Sequence, residues 1–204
     1  MATNKMNAGR PPVCIDIDNT IADTDRVLRG LIHEVTDGRV KLNRSDVTQY
    51  EYWKCVDSGG QRLAKEEWNR VLSLFNSERL LEVAPLDGVV ACLERIRAKF
   101  EVQLVTSRDP STEPLTLSWL GDRHIPYDGL HFARHREKHT VQLPFAFAVD
   151  DDPGQATAFS RIGIPAIVLS QPWNQLVQGS DIERLPDWAA ISSRMLRPHR
   201  TDRA

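Results

Sequence analysis

The sequence predicts an α/β protein: a parallel sheet sandwiched by helices, with a small helical cap inserted after the first strand. Three observations carry this expectation. Short apolar runs alternate with amphipathic stretches along most of the chain, as strands alternate with crossover helices. The stretch from about Asp25 to Pro85 breaks that alternation, because it holds helical patterns and no convincing strand. Three of the apolar runs end in polar side chains: Asp16-Ile17-Asp18, Thr106-Ser107-Arg108 and Asp150-Asp151-Asp152.

The elements follow in order. Residues 1–11 read as a loose arm, and Val13–Asp18 as the first strand. Val27, Leu28, Leu31, Ile32 and Val35 then recur at helical spacing. A polar break, Asp37–Asn43, precedes a helix-like, aromatic-rich stretch from Ser45 to Leu81, interrupted by the turn cluster Asp57-Ser58-Gly59-Gly60. Val89–Lys99 is amphipathic, and "FEVQLVTSR" is a second strand. Leu115–Leu120 reads as a short helix stopped by Gly121, and "GLHF" as a third strand. "FAFAVDDDP" is a fourth strand, Gln155–Arg161 a helix and "IPAIVLS" a fifth strand. A weak helix near Trp188–Leu196 and a basic, disordered end, "RPHRTDRA", finish the chain. The expected layout is a Rossmann-like core of residues 12–24 and 86–180, a cap of 25–85, and a C-terminal helix and tail over 181–204.

Bulk properties narrow the function. A hydrophobic content of 41% and a charged content of 26% are those of an ordinary soluble globular protein. A net charge of −2 gives no basic field for nucleic acid or an anionic membrane. The three cysteines, Cys14, Cys55 and Cys92, are far apart and odd in number, so they read as reduced thiols in a cytoplasmic protein. No apolar run approaches membrane-spanning length, and the first ten residues carry no apolar signal core.

The strand ends carry the chemistry. Ligands of an open parallel sheet bind at the carboxyl ends of its strands. Carboxylates gathered there repel one another unless a cation sits among them. Oxygen ligands favour a hard divalent ion, Mg²⁺ first. A carboxylate partly neutralised in this way can attack phosphorus, and a second, two residues on, can protonate the leaving oxygen and then activate water.

Asp16-Ile17-Asp18-Asn19-Thr20 resembles the first motif of the haloacid dehalogenase superfamily phosphatases. Thr106 resembles their second motif, Lys138 the third and Asp150-Asp151 the fourth, in order over roughly residues 12–170. Lys138 is the only lysine after Lys99. Together with "QYEYWK", "LVTSR", "VDDDP" and "LSQPWN", the chain is similar to the cytosolic and mitochondrial 5′-deoxyribonucleotidases and their bacterial and phage relatives. One departure is Asn19, where many superfamily members have Gly; Asn tolerates a left-handed turn.

The resemblance implies roles. Asp16 is the expected nucleophile and Asp18 the general acid/base; Thr106, Ser107 and Lys138 bind the phosphoryl group. Mg²⁺ is expected on Asp16, Asp18, Asp150 and Asp151, with Asp18 contributing its backbone carbonyl. Thr24, Tyr50 and Trp53 are candidates for substrate contact, although most cap aromatics are expected to build the cap's own core. His135 and His139 are four apart but lack further ligands for zinc. The expected activity is Mg²⁺-dependent hydrolysis of a small phosphorylated substrate, a nucleoside monophosphate. A 3′-phosphatase on nucleic-acid ends, a phosphatase of another small phosphometabolite and a non-catalytic binding protein are the alternatives.

Overall fold

A computed structural model describes residues 9–197. Most of the expected N-terminal arm and the basic end lie outside the described residues. Among these residues six parallel strands form one sheet: β1 (Pro12–Ile15), β2 (Glu101–Thr106), β3 (Gly129–Phe132), β4 (Ala148–Asp150), β5 (Ala166–Leu169) and β6 (Ile182–Leu185). Their order is β3-β2-β1-β4-β5-β6. Chain order reverses at β1, so β1 and β4 flank the switch point where α/β sheets open a crevice.

Among the described residues six α-helices accompany the sheet: α1 (Thr24–Val35), α2 (Lys65–Phe75), α3 (Val89–Arg97), α4 (Glu113–Asp122), α5 (Pro153–Arg161) and α6 (Trp188–Leu196). The central strands are buried along almost their whole length, as the continuous apolar runs Val13–Ile15 and Ala166–Leu169 require. The core closes on Trp119, Trp188, Phe147 and Phe159, each exposed by 2% or less. Both tryptophans satisfy their indole N–H on backbone next to the insertion: Trp119 donates to Val83 O at 2.8 Å and Trp188 to Thr20 O at 2.7 Å.

The segment between β1 and α3 leaves and returns side by side. Asp23 N donates to Ala84 O at 2.8 Å, and Leu86 N to Ile21 O at 2.9 Å. Inside it α1 packs on α2, with buried Leu28, Leu31, Ile32 and Val35 forming the inner stripe of α1. The expected helix from Ser45 to Leu81 is mostly not α-helical. Only Lys65–Phe75 is; Arg44–Asp46, Tyr52–Lys54 and Glu78–Glu82 are 3₁₀ turns. Asp57 is one cause. Its carboxylate accepts from the amides of Lys41, Gly59 and Gln61, holding a turn that a helix could not keep.

Three smaller differences stand out. β1 ends at Ile15, because Asp16–Ala22 turns back on itself. Gly121 does not stop α4, which continues to Asp122. Strand β6, Ile-Glu-Arg-Leu, was not expected; it is a short edge strand without a continuous apolar run. Among the described residues no helix is long and apolar enough to cross a membrane.

Candidate active site

The site begins with the turn after β1. Asp16 stays tied to β4 through its amide, which donates to Val149 O at 3.0 Å. Asn19 then takes a positive φ of 58°, allowing Asn19 N and Ala22 N to close the turn on Ala22 O and Ile17 O. Its side-chain oxygen accepts from Asp25 N at 2.7 Å, capping an otherwise orphaned amide in the first turn of α1. The turn therefore fixes both the carboxylates before it and the helix after it.

Asp16, Asp150 and Asp151 are buried, and each offers an oxygen within 4.8 Å of the others. Lys138, in the 3₁₀ turn Lys138–Thr140, reaches in from the other side. Its ammonium donates to Asp16 Oδ1 at 2.6 Å and to Asp150 Oδ2 at 2.8 Å. Thr20 Oγ1 donates to Asp16 Oδ2 at 3.2 Å. Asp151 accepts from the Trp173 indole at 3.0 Å, and its carbonyl is held by Asn174 at 2.9 Å. Asp152 caps α5 by accepting from Gly154 N at 2.8 Å, with Pro153 at the first helical position.

Burial raises the Asp16 carboxyl to about 7, although Lys138 opposes the shift. Burial likewise raises Asp150 and, more strongly, Asp151. Burial lowers the Lys138 ammonium, but the two carboxylates outweigh it and hold the group charged. Three carboxylates facing one ammonium leave a formal deficit of two charges. An all-oxygen donor set with that deficit suits a hard divalent cation.

Asp18 differs from its neighbours. Its side chain is 27% exposed and its carboxylate is gripped by Arg108, Nε to Oδ2 at 2.9 Å and Nη2 to Oδ1 at 2.8 Å. Thr24 adds its hydroxyl at 2.6 Å. Burial would raise this carboxyl, but Arg108 and Thr24 together bring it below the ordinary value. Thr106 ends β2 fully buried, its hydroxyl oxygen accepting from Arg108 N at 3.1 Å.

These groups open into a cavity of about 550 Å³. Asp16, Asp18, Ser107, Arg108 and Lys138 line it at the sheet edge. Leu28, Tyr52, Trp68, Leu72 and Phe75 line it from the inserted segment, and Tyr50, His135 and Trp173 also border it.

A Streptococcus pneumoniae hydrolase of the haloacid dehalogenase-like family, SP0104, superposes with a TM-score of 0.66 at 14% identity, over 91% of this chain and 98% of that one. A HAD family hydrolase from Deinococcus radiodurans, solved with bound phosphate and sodium, gives 0.57 at 15% identity, over 93% and 89%. The fold is that of the haloacid dehalogenase-like hydrolases. A nucleotidase of Clostridium acetobutylicum is 24% identical over 181 residues, 88% of this chain and 90% of the relative. No protein-family model matches the chain.

Within this fold, Asp16, Asp18, Ser107 and Lys138 meet at one cavity, Thr106 lies beneath it, and Asp150 and Asp151 stand beside Asp16. The substrate candidates divide. Thr24 turns its hydroxyl to Asp18, and Tyr50 borders the cavity, stacked on His135 with centroids 5.6 Å apart. Trp53 does not line the cavity. It packs half-buried on the core, under the ammonium groups of Lys54 and Lys65. The 3₁₀ turn Tyr52–Lys54 is the reason: successive residues point about 120° apart, so Tyr52 and Trp53 cannot face the same way. Trp68, which stacks on Tyr52 at 5.2 Å, takes the place expected of Trp53.

His135 and His139 are not on an α-helix. His139 lies edge-on to Phe159, and among the described residues the only cluster fit to hold a metal is the three-aspartate one. Arg108, the last of the polar residues at the end of the second expected strand, is 6% exposed and is not a surface charge. The bond of the Trp173 indole to Asp151 is not legible in the sequence: "LSQPWN" contributes to the family resemblance, but nothing in it points to Asp151.

Proposed function

We propose that the protein is a Mg²⁺-dependent phosphomonoesterase acting on nucleoside 5′-monophosphates through an aspartyl-phosphate on Asp16. The carrying observation is the ammonium of Lys138 bridging Asp16 and Asp150 at the sheet's switch point, with Asp18 two residues on and facing the same cavity.

A carboxylate oxygen of Asp16 attacks phosphorus as the ester bond to the leaving oxygen breaks. Asp18 gives its proton to that oxygen. A water then attacks the phosphorus of the acyl phosphate, loses a proton to Asp18 and releases inorganic phosphate, which restores both carboxyl groups. The Thr106 hydroxyl, the Ser107 amide and the Lys138 ammonium hold the phosphoryl oxygens. Asp16, Asp150 and Asp151, with the Asp18 carbonyl, would hold Mg²⁺; its positive charge lets a phosphate dianion approach a carboxylate.

Specificity comes from the insertion. Residues 25–85 act as a cap over the strand ends, and the apolar lining from Leu28 to Phe75 suits the flat, weakly polar base of a nucleoside, the group that leaves through its 5′-oxygen. The nucleotidase name of the Clostridium acetobutylicum relative supports this reading. The roofed cavity and the net charge of −2 disfavour nucleic-acid ends as substrate. Three buried free cysteines suit a reducing compartment, and we place the enzyme in the cytoplasm. The test is a panel of nucleoside monophosphates, sugar phosphates and 3′-phosphorylated oligonucleotides, with Mg²⁺ and with a chelator. Hydrolysis of nucleotides only when Mg²⁺ is present is the expected result; equal rates on sugar phosphates remove the nucleotide specificity.

A further inference from the structure

We propose that Arg108 is a positioning residue for Asp18, clamping its carboxylate in the orientation from which it exchanges a proton with the leaving oxygen. The inference rests on the phosphatase reading above and goes beyond it, since no step there calls for a cation at this position.

Asp18 and Arg108 stand 90 residues apart and are brought together by the pairing of β1 with β2. The guanidinium makes two bonds to the two oxygens of one carboxylate, at 2.9 and 2.8 Å. A planar fork makes such a pair; an ammonium cannot. Arg108 is itself immobilised. Nη1 donates to Thr116 Oγ1 on α4 at 3.3 Å, the guanidinium lies 5.6 Å from the Trp119 ring centre, and the residue is almost fully buried.

The contrast with Asp16 gives the clamp a purpose. Asp16 is held by Lys138 and Thr20 inside the aspartate cluster. Asp18 lies outside that cluster and beside the cavity, where a lone carboxylate can rotate towards solvent. Arg108 and Thr24 restrict that rotation: Oδ1 accepts from both, whereas Oδ2 accepts only from Arg108 Nε and keeps a second acceptor site for the proton it exchanges. Proton transfer needs the donor within hydrogen-bond reach of the reacting oxygen, so fixing the acid shortens the search for that geometry.

The experiment uses the full chain with Mg²⁺ and two esters. A nucleoside 5′-monophosphate has an alkoxide leaving group that must be protonated. p-Nitrophenyl phosphate leaves as a stable phenolate without a proton. Arg108→Ala and Arg108→Lys are expected to lose about 100-fold or more in kcat/KM on the nucleotide, and under about 10-fold on the aryl ester. Added guanidinium should restore nucleotide hydrolysis to Arg108→Ala. Retained aryl activity reports that the fold survives, and if the alanine variant does not fold, the lysine variant carries the comparison. Equal losses on both esters, as direct phosphate binding or general structural damage would give, overturn the proposal, and so does full nucleotide activity in Arg108→Lys. A wild-type protein inactive on both esters overturns the phosphatase reading instead, before any variant is made.

Discussion

Replacing Lys138 by Met tests the electrostatics of the site without reference to turnover. Met keeps most of the side-chain volume but removes the charge that lies 2.6 Å from Asp16 and 2.8 Å from Asp150. Both carboxylates are buried, so neither gains water in exchange. Breaking a buried ion pair by deleting one partner costs about 3–5 kcal/mol. For a chain of this size that corresponds to a fall of about 6–20 °C in Tm. The sign with pH follows from the carboxyls. Burial has already raised Asp16 to about 7, with Lys138 as the chief opposing charge, and Asp150 lies above its ordinary value for the same reasons. Without Lys138 both move higher. A carboxyl raised in the folded state is fully tolerated below its unfolded pKa, about 4, and costs stability as pH rises through its folded value. The variant should therefore be severely destabilised at pH 7.5 and much less so at pH 4.5. Urea unfolding in chelator at both pH values measures this, because a divalent cation would take over part of the lysine's role. A loss below about 1 kcal/mol at pH 7.5, or an equal loss at both pH values, would refute the reasoning.

Further expectations are open to direct measurement. Asp16→Asn should fold normally, since Asn keeps the shape, yet show no turnover; near-normal kcat would end the aspartyl-phosphate mechanism. Exhaustive chelation should abolish activity and Mg²⁺ restore it, so full activity in chelator would rule out the three-aspartate cluster as an essential cation site. Trp68→Ala should lower the preference for nucleotides over sugar phosphates by roughly ten- to a hundredfold, the worth of one stacked base, while Trp53→Ala should leave it unchanged; the reverse pattern would show that the wrong wall has been identified. At the opposite end of the sheet, burial raises the Asp128 carboxyl, but Arg97, the Val102 amide and Arg10 outweigh it and hold the group at about 2. A depressed carboxyl stabilises above its unfolded pKa and loses that contribution as pH falls through the folded value. After solvent screening by two partly exposed arginines, about 1 kcal/mol should disappear between pH 4 and 2 in the wild type and not in Asp128→Asn.

The legible parts of this protein are those where burial is continuous or chemistry is local. Val13–Ile15 and Ala166–Leu169 are continuous apolar runs, and Val102–Val105 is one broken only by the buried Gln103; only a doubly covered sheet can hide them, and the polar residues that follow point to the site. Asp16 and Asp18 announce themselves because two acids after a buried strand are costly without a task. Strand β6 was not legible: Ile182-Glu183-Arg184-Leu185 is half-exposed, and its pairing with β5 supplies what its composition does not. The turn expected at Asp57–Gly60 is present, held by the Asp57 carboxylate, but the flanks from Ser45 and up to Leu81 misled because aromatic density imitates helical periodicity where the chain makes 3₁₀ turns. The Asp18–Arg108 clamp depends on a contact between segments 90 residues apart, which no local pattern encodes, and the exchange of Trp53 for Trp68 follows from the 3₁₀ turn at Tyr52–Lys54, which a helical reading of this stretch does not anticipate.

The side-by-side exit and return of the inserted segment at Asp23 and Leu86 also bears on how quickly the chain can find its sheet. β1 pairs with β2 across 89 positions, Pro12 to Glu101. A chain that must close this loop while the intervening residues are still open meets the entropy of the full span. If residues 25–85 collapse first, with the α1–α2 contact as their local nucleus, their ends come together and the remaining loop shrinks to about 28 positions. The logarithmic cost of closure then falls by about 1 kcal/mol, roughly a fivefold gain in the rate of first contact. An insertion placed in this way separates β1 from β2 in sequence without greatly delaying their meeting.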